Sequence, residues 1–170
     1  MDMLQLMKER FSVRDFSEKP VCDEDLEKIL EAARLAPTAK NQQGLKILVL
    51  KSEEALKKIR EITPSAYNAP LVMVVCADTD VAWKRNRDGW SAAPIDTSIA
   101  CCHMMLEAQS LGLGSVWVCA FDLAKVKAAF DLPDNIVPYS LLPIGYQSKE
   151  CQPNERHFIR RDIKEIVEFK

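Results

Sequence analysis

Leu71-Val-Met-Val-Val-Cys-Ala77, the run LVMVVCA, contains no charged side chain and no break in its apolar character. A strand with one wet face alternates apolar and polar residues, so an unbroken run predicts a strand covered on both faces. The remaining segments must supply those covers.

Working outward, Asp23 to Ala36 predicts a helix, with Leu26, Ile29, Leu30 and Ala33 at i, i+3, i+4 and i+7. Asp23, Glu24 and Asp25 fill its first turn, where the helix dipole favours negative charge, and Pro37 ends it. Met3 to Arg10 predicts a shorter helix with Asp2 as N-cap. Leu45 to Leu50 reads as a strand, and Ser52 caps a polar helix running to about Ile62. Pro94 opens the longest helix, with Ile95, Ile99, Cys102 and Leu106 on one stripe and Gly112 at its C-terminus. Ser115 to Phe121 reads as a third strand, Asp122 caps a helix to about Phe130, and Tyr139 to Tyr146 is a fourth strand. The tail RRDIKEIVEFK is either a short helix after Asp162 or an extended arm. Its Ile163, Ile166, Val167 and Phe169 need a surface to cover. Alternating helices and strands predict a mixed sheet covered on both faces.

The chain of 170 residues is long enough for one domain with a substantial core. A net charge of −2 gives no bulk electrostatic case for nucleic acid or an acidic membrane. No apolar run reaches the roughly 20 residues that cross a bilayer, and the N-terminus lacks a secretory pattern, so a cytoplasmic location is expected. Six cysteines (Cys22, Cys76, Cys101, Cys102, Cys119 and Cys151) form no C-x-x-C pair and no metal-ligand spacing. They read as buried reduced thiols, with Cys76 and Cys119 inside apolar runs.

Several motifs can be set aside. GLGS, Gly112 to Ser115, lies between a helix and a strand, the reverse of a dinucleotide-binding fingerprint. There is no P-loop and no G-x-S-x-G elbow. His103 and His157 have no evident partner, and no catalytic side chain or metal ligand is nominated.

Four segments are candidates for carrying chemistry. In ERFSVRDF, Glu9 to Phe16, the residues Arg10, Ser12 and Arg14 alternate, so an extended backbone would turn all three to one face. Arg160 and Arg161 form a second basic pair. Arginine forks match phosphate geometry, and these groups suit a small anion if the chain ends meet. APTAKNQQ, Ala36 to Gln43, offers uncharged donors and acceptors suited to a polar heterocycle or a ribityl chain, although a solvated loop has the same composition. Asp78 to Ala93 is a long irregular stretch whose Trp83 and Trp90 either cover a planar ligand or pack the loop down.

ERFSVRDF, AARLAPTAKNQQGLKILVL, NAPLVMVV, IDTSIACCHMMLEAQSLGLGSVWVCAF, LLPIGYQ and RRDIKEIV, in that order, resemble the flavin-dependent nitroreductase family over nearly the whole chain. The resemblance implies an α+β nitroreductase-like fold: a central, mostly antiparallel or mixed sheet flanked by helices. It also implies an intertwined homodimer with FMN at the subunit interface, residues 1–170 forming a single FMN-binding domain. By that likeness Arg10, Phe11, Ser12 and Arg14, with Arg160 or Arg161, hold the FMN phosphate and ribityl end. Thr38, Ala39, Asn41 and Gln42 belong to the loop lent by the other subunit, and Pro143, Ile144 and Gly145 are backbone beside the ring. Gly112 and Gly114 match a turn of the family pattern.

The implied activity passes hydride from NAD(P)H through FMN to a small electron-poor acceptor: a nitroaromatic, a quinone, an enone or a flavin. A nicotinamide that only stacks on the flavin needs no Rossmann motif. A non-catalytic FMN-binding sensor or redox partner would share the same residues, and a reductive dehalogenase or flavin-fragmenting enzyme would share the fold. The chain departs from the family pattern in being short. It lacks a large lid insertion, its segment Lys84 to Trp90 does not match, and Cys101-Cys102-His103 reads as core packing.

Overall fold

The computed structural model describes residues 2–170. The elements are α1 (Met3–Glu9), α2 (Asp23–Arg34), β1 (Leu45–Leu50), α3 (Glu53–Ile62), β2 (Leu71–Asp78), α4 (Ala93–Ser110), β3 (Gly114–Ser115), α5 (Leu123–Ala129) and β4 (Ile136–Gly145). The strands form one sheet in the order β1-β2-β4-β3, and every ladder is antiparallel. Among the described residues, parallel pairing is confined to the isolated bridge between Ser12 and Ser115.

β2 is buried throughout from Leu71 to Ala77, as its composition requires. Its side chains alternate between two cores. Val72, Val74 and Cys76 meet Leu56 and Ile59 of α3 and Val126 of α5. Leu71, Met73 and Val75 meet Leu26, Ile29 and Ala33 of α2 and Ala100, Met104 and Ala108 of α4. Ser52 caps α3 by accepting from the Ala55 N–H at 3.2 Å, and Asp122 caps α5 by accepting from the Lys125 N–H at 3.1 Å.

Three expectations are corrected. On α4 the buried face is Ala100, Cys101, Met104 and Ala108, while Ile95 and Cys102 are exposed and Ile99 and Leu106 half-buried. Apolar residues surround this helix, so more than one stripe satisfies helical spacing and periodicity does not choose between them. The third strand pairs only at Gly114–Ser115, with a further bridge between Val118 and Leu141. Pro143 explains the gap. Its carbonyl accepts from the Val116 N–H at 3.2 Å, but it has no N–H to return to that edge. The thiols are mostly not core: Cys76 and Cys101 are buried, but Cys22, Cys102 and Cys119 are exposed. The tail forms a short 3-10 turn at Ile163–Glu165 with a capping box on Asp162, and its apolar residues are exposed.

Gly114 is required by close approach. A Cβ there would lie 2.5 Å from Val13 Cγ2, and Val13 is 1% exposed and has no room to retreat. Gly112 has φ +75 after the end of α4, a left-handed turn that suits glycine.

Burial pushes the Cys76 thiol up to about 12 and the Cys101 thiol up to about 11. Folded protein at pH 8 should therefore leave both unmodified by iodoacetamide, while Cys22 and Cys119 react. Mass spectrometry of peptides checks this, and alkylation of Cys76 without unfolding would contradict the packing. Gly114→Ala should lower unfolding free energy by about 1–3 kcal/mol, the usual cost of overpacking, as read by urea denaturation.

Candidate functional site

The segment from Arg10 to Phe16 runs extended beside the sheet, with the Val13 N–H donating to Ser115 O at 3.1 Å. Val13 and Phe16 enter the core and Phe11 packs partly against it, while Arg14 and Asp15 are exposed and Arg10 and Ser12 half-buried. The chain returns to the same place near its end. Asn154 caps the 3-10 turn Glu155–Phe158, its side chain accepting from the Arg156 N–H at 3.0 Å.

Together these segments enclose a cavity of about 400 Å³ lined by Arg10, Phe11, Ser12, Arg14, Asn154, Arg156, His157 and Arg160. Four guanidinium groups and no carboxylate line it among the described residues. Nη1 of Arg10 is buried and has no hydrogen-bond partner among the described residues. Burial draws this guanidinium below its ordinary pKa, and the like charge of Arg160 adds to the effect, while Cys102 opposes it. A buried donor left unmade costs about 1–3 kcal/mol, so the geometry lacks an acceptor. Arg160 spends one nitrogen on the carbonyls of His157 and Ile159, the latter at 2.8 Å. The His157 ring packs edge-on against Phe11 at 6.1 Å and Phe158 at 5.0 Å. Such a pocket fits a phosphate group: multiple charge-assisted donors, one orphaned, and an apolar flank for whatever the phosphate carries.

Of the residues expected here, Arg10, Phe11, Ser12, Arg14 and Arg160 come together, whereas Arg161 is exposed and does not line the cavity. Asn154, Arg156 and His157 were missed. Only the Asn-Glu start of a capped turn marked that stretch, and nothing local tied it to residue 10.

The amide loop lies elsewhere. Its 3-10 turn spans Ala39–Asn41, and Lys40, Asn41 and Gln43 have φ of 51, 56 and 53, left-handed values for non-glycine residues. Beside its own backbone turn bonds, two side chains accept from it: Gln43 N–H donates to Thr38 Oγ1 at 2.9 Å, and Ala39 N–H donates to Asp96 Oδ1 at 3.0 Å. Asp96 is buried in the first turn of α4. Thr38 and Gln43 line a separate cavity of about 250 Å³ with Ala33, Ala36, Leu45 and Ile47, and Asn41 and Gln42 are exposed. Pro143, Ile144 and Gly145 end β4 and are buried within their own chain, Gly145 tightly enough that a Cβ would lie 2.7 Å from Pro70 Cδ. Within the stretch 78–93, residues 83–92 form a short hairpin, with Trp83 and Trp90 edge to face at 6.4 Å and Lys40 Nζ 5.9 Å from the Trp83 ring. No group of three or more His, Cys, Asp or Glu able to hold a metal occurs among the described residues.

Asp96→Ala should release the loop at Ala39, while Asp96→Asn retains an acceptor. Hydrogen exchange of amides 38–43 is expected to accelerate in the first variant and stay near wild type in the second. Equal protection in both variants would show that the Asp96 contact does not hold the loop.

Comparison with known proteins gives a consistent result. The nitroreductase family model matches residues 7–67 and 62–146. A crystal structure of a nitroreductase family protein from Clostridium difficile 630 has a TM-score of 0.94 and 42% identity, covering 100% of this chain and 99% of that one. A structure described as an FMN-dependent nitroreductase from Clostridium difficile R20291 has a TM-score of 0.77 at 28% identity, covering 98% of each chain. The curated relative FMN reductase [NAD(P)H] of Bacillus subtilis (strain 168) is 27% identical over 173 residues, covering 91% of this chain and 70% of its own. The chain belongs to the nitroreductase family.

Proposed function

We propose that this member of the nitroreductase family is an NAD(P)H-dependent oxidoreductase that binds FMN and passes hydride through it to a small electron-poor acceptor. The observation that carries the FMN reading is the cationic cavity, with the buried Arg10 Nη1 facing no acceptor. A phosphate monoester brings close to two negative charges and several acceptor oxygens, which matches that donor set. The FMN-dependent neighbour and the FMN reductase relative support the same reading.

In this reading Arg10, Arg14 and Arg160 hold the phosphate, Ser12 donates a hydroxyl, and Arg156 and His157 complete the wall. Phe11 flanks the chain that the phosphate carries. The outward amides of Asn41 and Gln42, with Thr38 and the backbone at Ala39, suit a polar ring edge. Pro143, Ile144 and Gly145 supply rigid backbone. FMN, when bound, supplies the two-electron chemistry that accepts hydride from a nicotinamide and returns it to an acceptor. The protein's own part is binding, orientation and stabilisation of negative charge, and no side-chain acid or base is assigned.

A homodimer belongs to the proposal. The arginine cavity and the amide loop belong to different cavities of one chain, and a second copy would bring the two sets together. Leu35, Ile95, Ile163, Ile166 and Phe169 are exposed large apolar side chains, which an intertwined partner would cover.

The purified protein should be yellow, release FMN on denaturation and bleach anaerobically with NADH or NADPH. A colourless protein that also takes up no added FMN would overturn the reading. Arg10→Ala should weaken FMN binding by about 1.5–3 kcal/mol, the scale of a hydrogen bond to a charged group, and leave riboflavin binding nearly unchanged. Fluorescence titration with both ligands checks this.

A further inference from the structure

The hairpin within residues 78–93 is a built surface with no role in the scheme above. Lys84 and Ser91 pair across it, and the Arg85 N–H donates to Trp90 O at 2.8 Å. The reversal is closed by the Gly89 N–H donating to Arg85 O at 2.8 Å, with Gly89 at φ +70. The Arg85 side chain is used within the hairpin, where it pairs with Asp88 at 2.8 Å and lies 5.1 Å over the Trp90 ring. That pairing neutralises Asp88. Arg87 keeps only a 3.9 Å approach to the same carboxylate, and its side chain is 79% exposed. Lys84 and Lys40 are exposed and form no ion pair among the described residues. The outcome is an edge-to-face aromatic pair, Trp90 being 43% exposed, with the cations Lys40, Lys84 and Arg87 at its edge.

The hairpin is joined to the amide loop. Lys40 sits over Trp83, the Asp78 N–H donates to Gly44 O at 2.8 Å, and a Cβ on Gly44 would lie 3.0 Å from Ala82 N. It therefore borders the loop assigned above to the flavin ring, where a nicotinamide donor must also approach.

Nicotinamide dinucleotides bring an adenine, which stacks on indole, and phosphates, which lysine and arginine hold. The sequence has no dinucleotide-binding fingerprint to grip that end. Any recognition of it must come from surface loops. We propose that the Trp83–Trp90 hairpin binds the adenosine end of the donor, and that Lys84 and Arg87 take its 2′-phosphate, making NADPH the preferred donor. An acceptor would gain from the indoles but has no general need for two exposed cations. The 2′-phosphate supplies that need and is the one group that separates NADPH from NADH.

This inference rests on the FMN oxidoreductase reading, and anaerobic stopped-flow reduction of the FMN-loaded protein separates the two. Wild type should be reduced by NADPH with a second-order rate constant about tenfold or more above that for NADH, the scale of one charge-assisted hydrogen bond. In the Lys84→Ala/Arg87→Ala double variant that ratio should fall toward one, and the NADPH rate should lose its steeper salt dependence. Trp90→Ala should slow reduction by both donors, and Trp90→Phe should restore part of the loss. A wild-type ratio near one, a ratio unchanged in the double variant, or effects confined to reoxidation by an acceptor would each overturn the hairpin assignment while leaving the FMN reading intact. Loaded protein that neither nucleotide reduces would overturn both.

Discussion

The structure depends on a strand with no wet face. β2 places Val72, Val74 and Cys76 in one core and Leu71, Met73 and Val75 in the other, so helices are required on both sides of the sheet. α3 and α5 cover one side and α2 and α4 the other. The N-terminal segment is then fixed by what remains. Val13 fills the space that Gly114 leaves open, and its N–H bonds to Ser115 at the sheet edge. The placement of Arg10, Ser12 and Arg14 is thus a consequence of packing, with the residues between them acting as the anchors.

The cation cluster works against the stability of its own chain. Like charges at Arg10, Arg14, Arg156 and Arg160 repel, and no carboxylate among the described residues lines the cavity to offset them. Burial and Arg160 both disfavour the charged form of Arg10. A chain optimised only for stability would not orphan Nη1 there. The cost is offset if an anion is bound, because the same desolvation then strengthens each charge-assisted bond.

Much of this was legible in sequence wherever one local pattern had one reading. LVMVVCA gave its strand, Ser52 and Asp122 gave their helix starts, and Ser-Val-Arg alternation gave a polar face between buried anchors. Failures came where local rules were degenerate or non-local partners decided. On α4, apolar residues all round allowed a stripe through Ile95 and Cys102, although Ala100 and Met104 face the sheet. The third strand had strand chemistry, but Pro143 on its neighbour withheld the N–H that pairing needed. Arg160 meets Arg10 only because the chain ends converge, and no spacing between positions 10 and 160 encodes that meeting. Arg156 and His157 went unrecognised for the same reason.

Backbone strain gathers in the amide loop. Lys40, Asn41 and Gln43 all adopt left-handed backbone, at a cost that glycine would have avoided. Glycine would also have lost the side chains. Strain of this kind persists only when its surroundings fix it, and here Thr38 closes the loop from within while the buried Asp96 holds it from α4. What the strain achieves is presentation. Asn41 and Gln42 stand exposed and Lys40 reaches over Trp83, so the amides and the tryptophan hairpin form one connected outward surface. A loop serving only to join α2 to β1 would need neither the strain nor the buried carboxylate. In the proposed reading its rigidity prepares it for a flat ligand that approaches from outside the chain, and would reduce the ordering entropy lost when that ligand arrives.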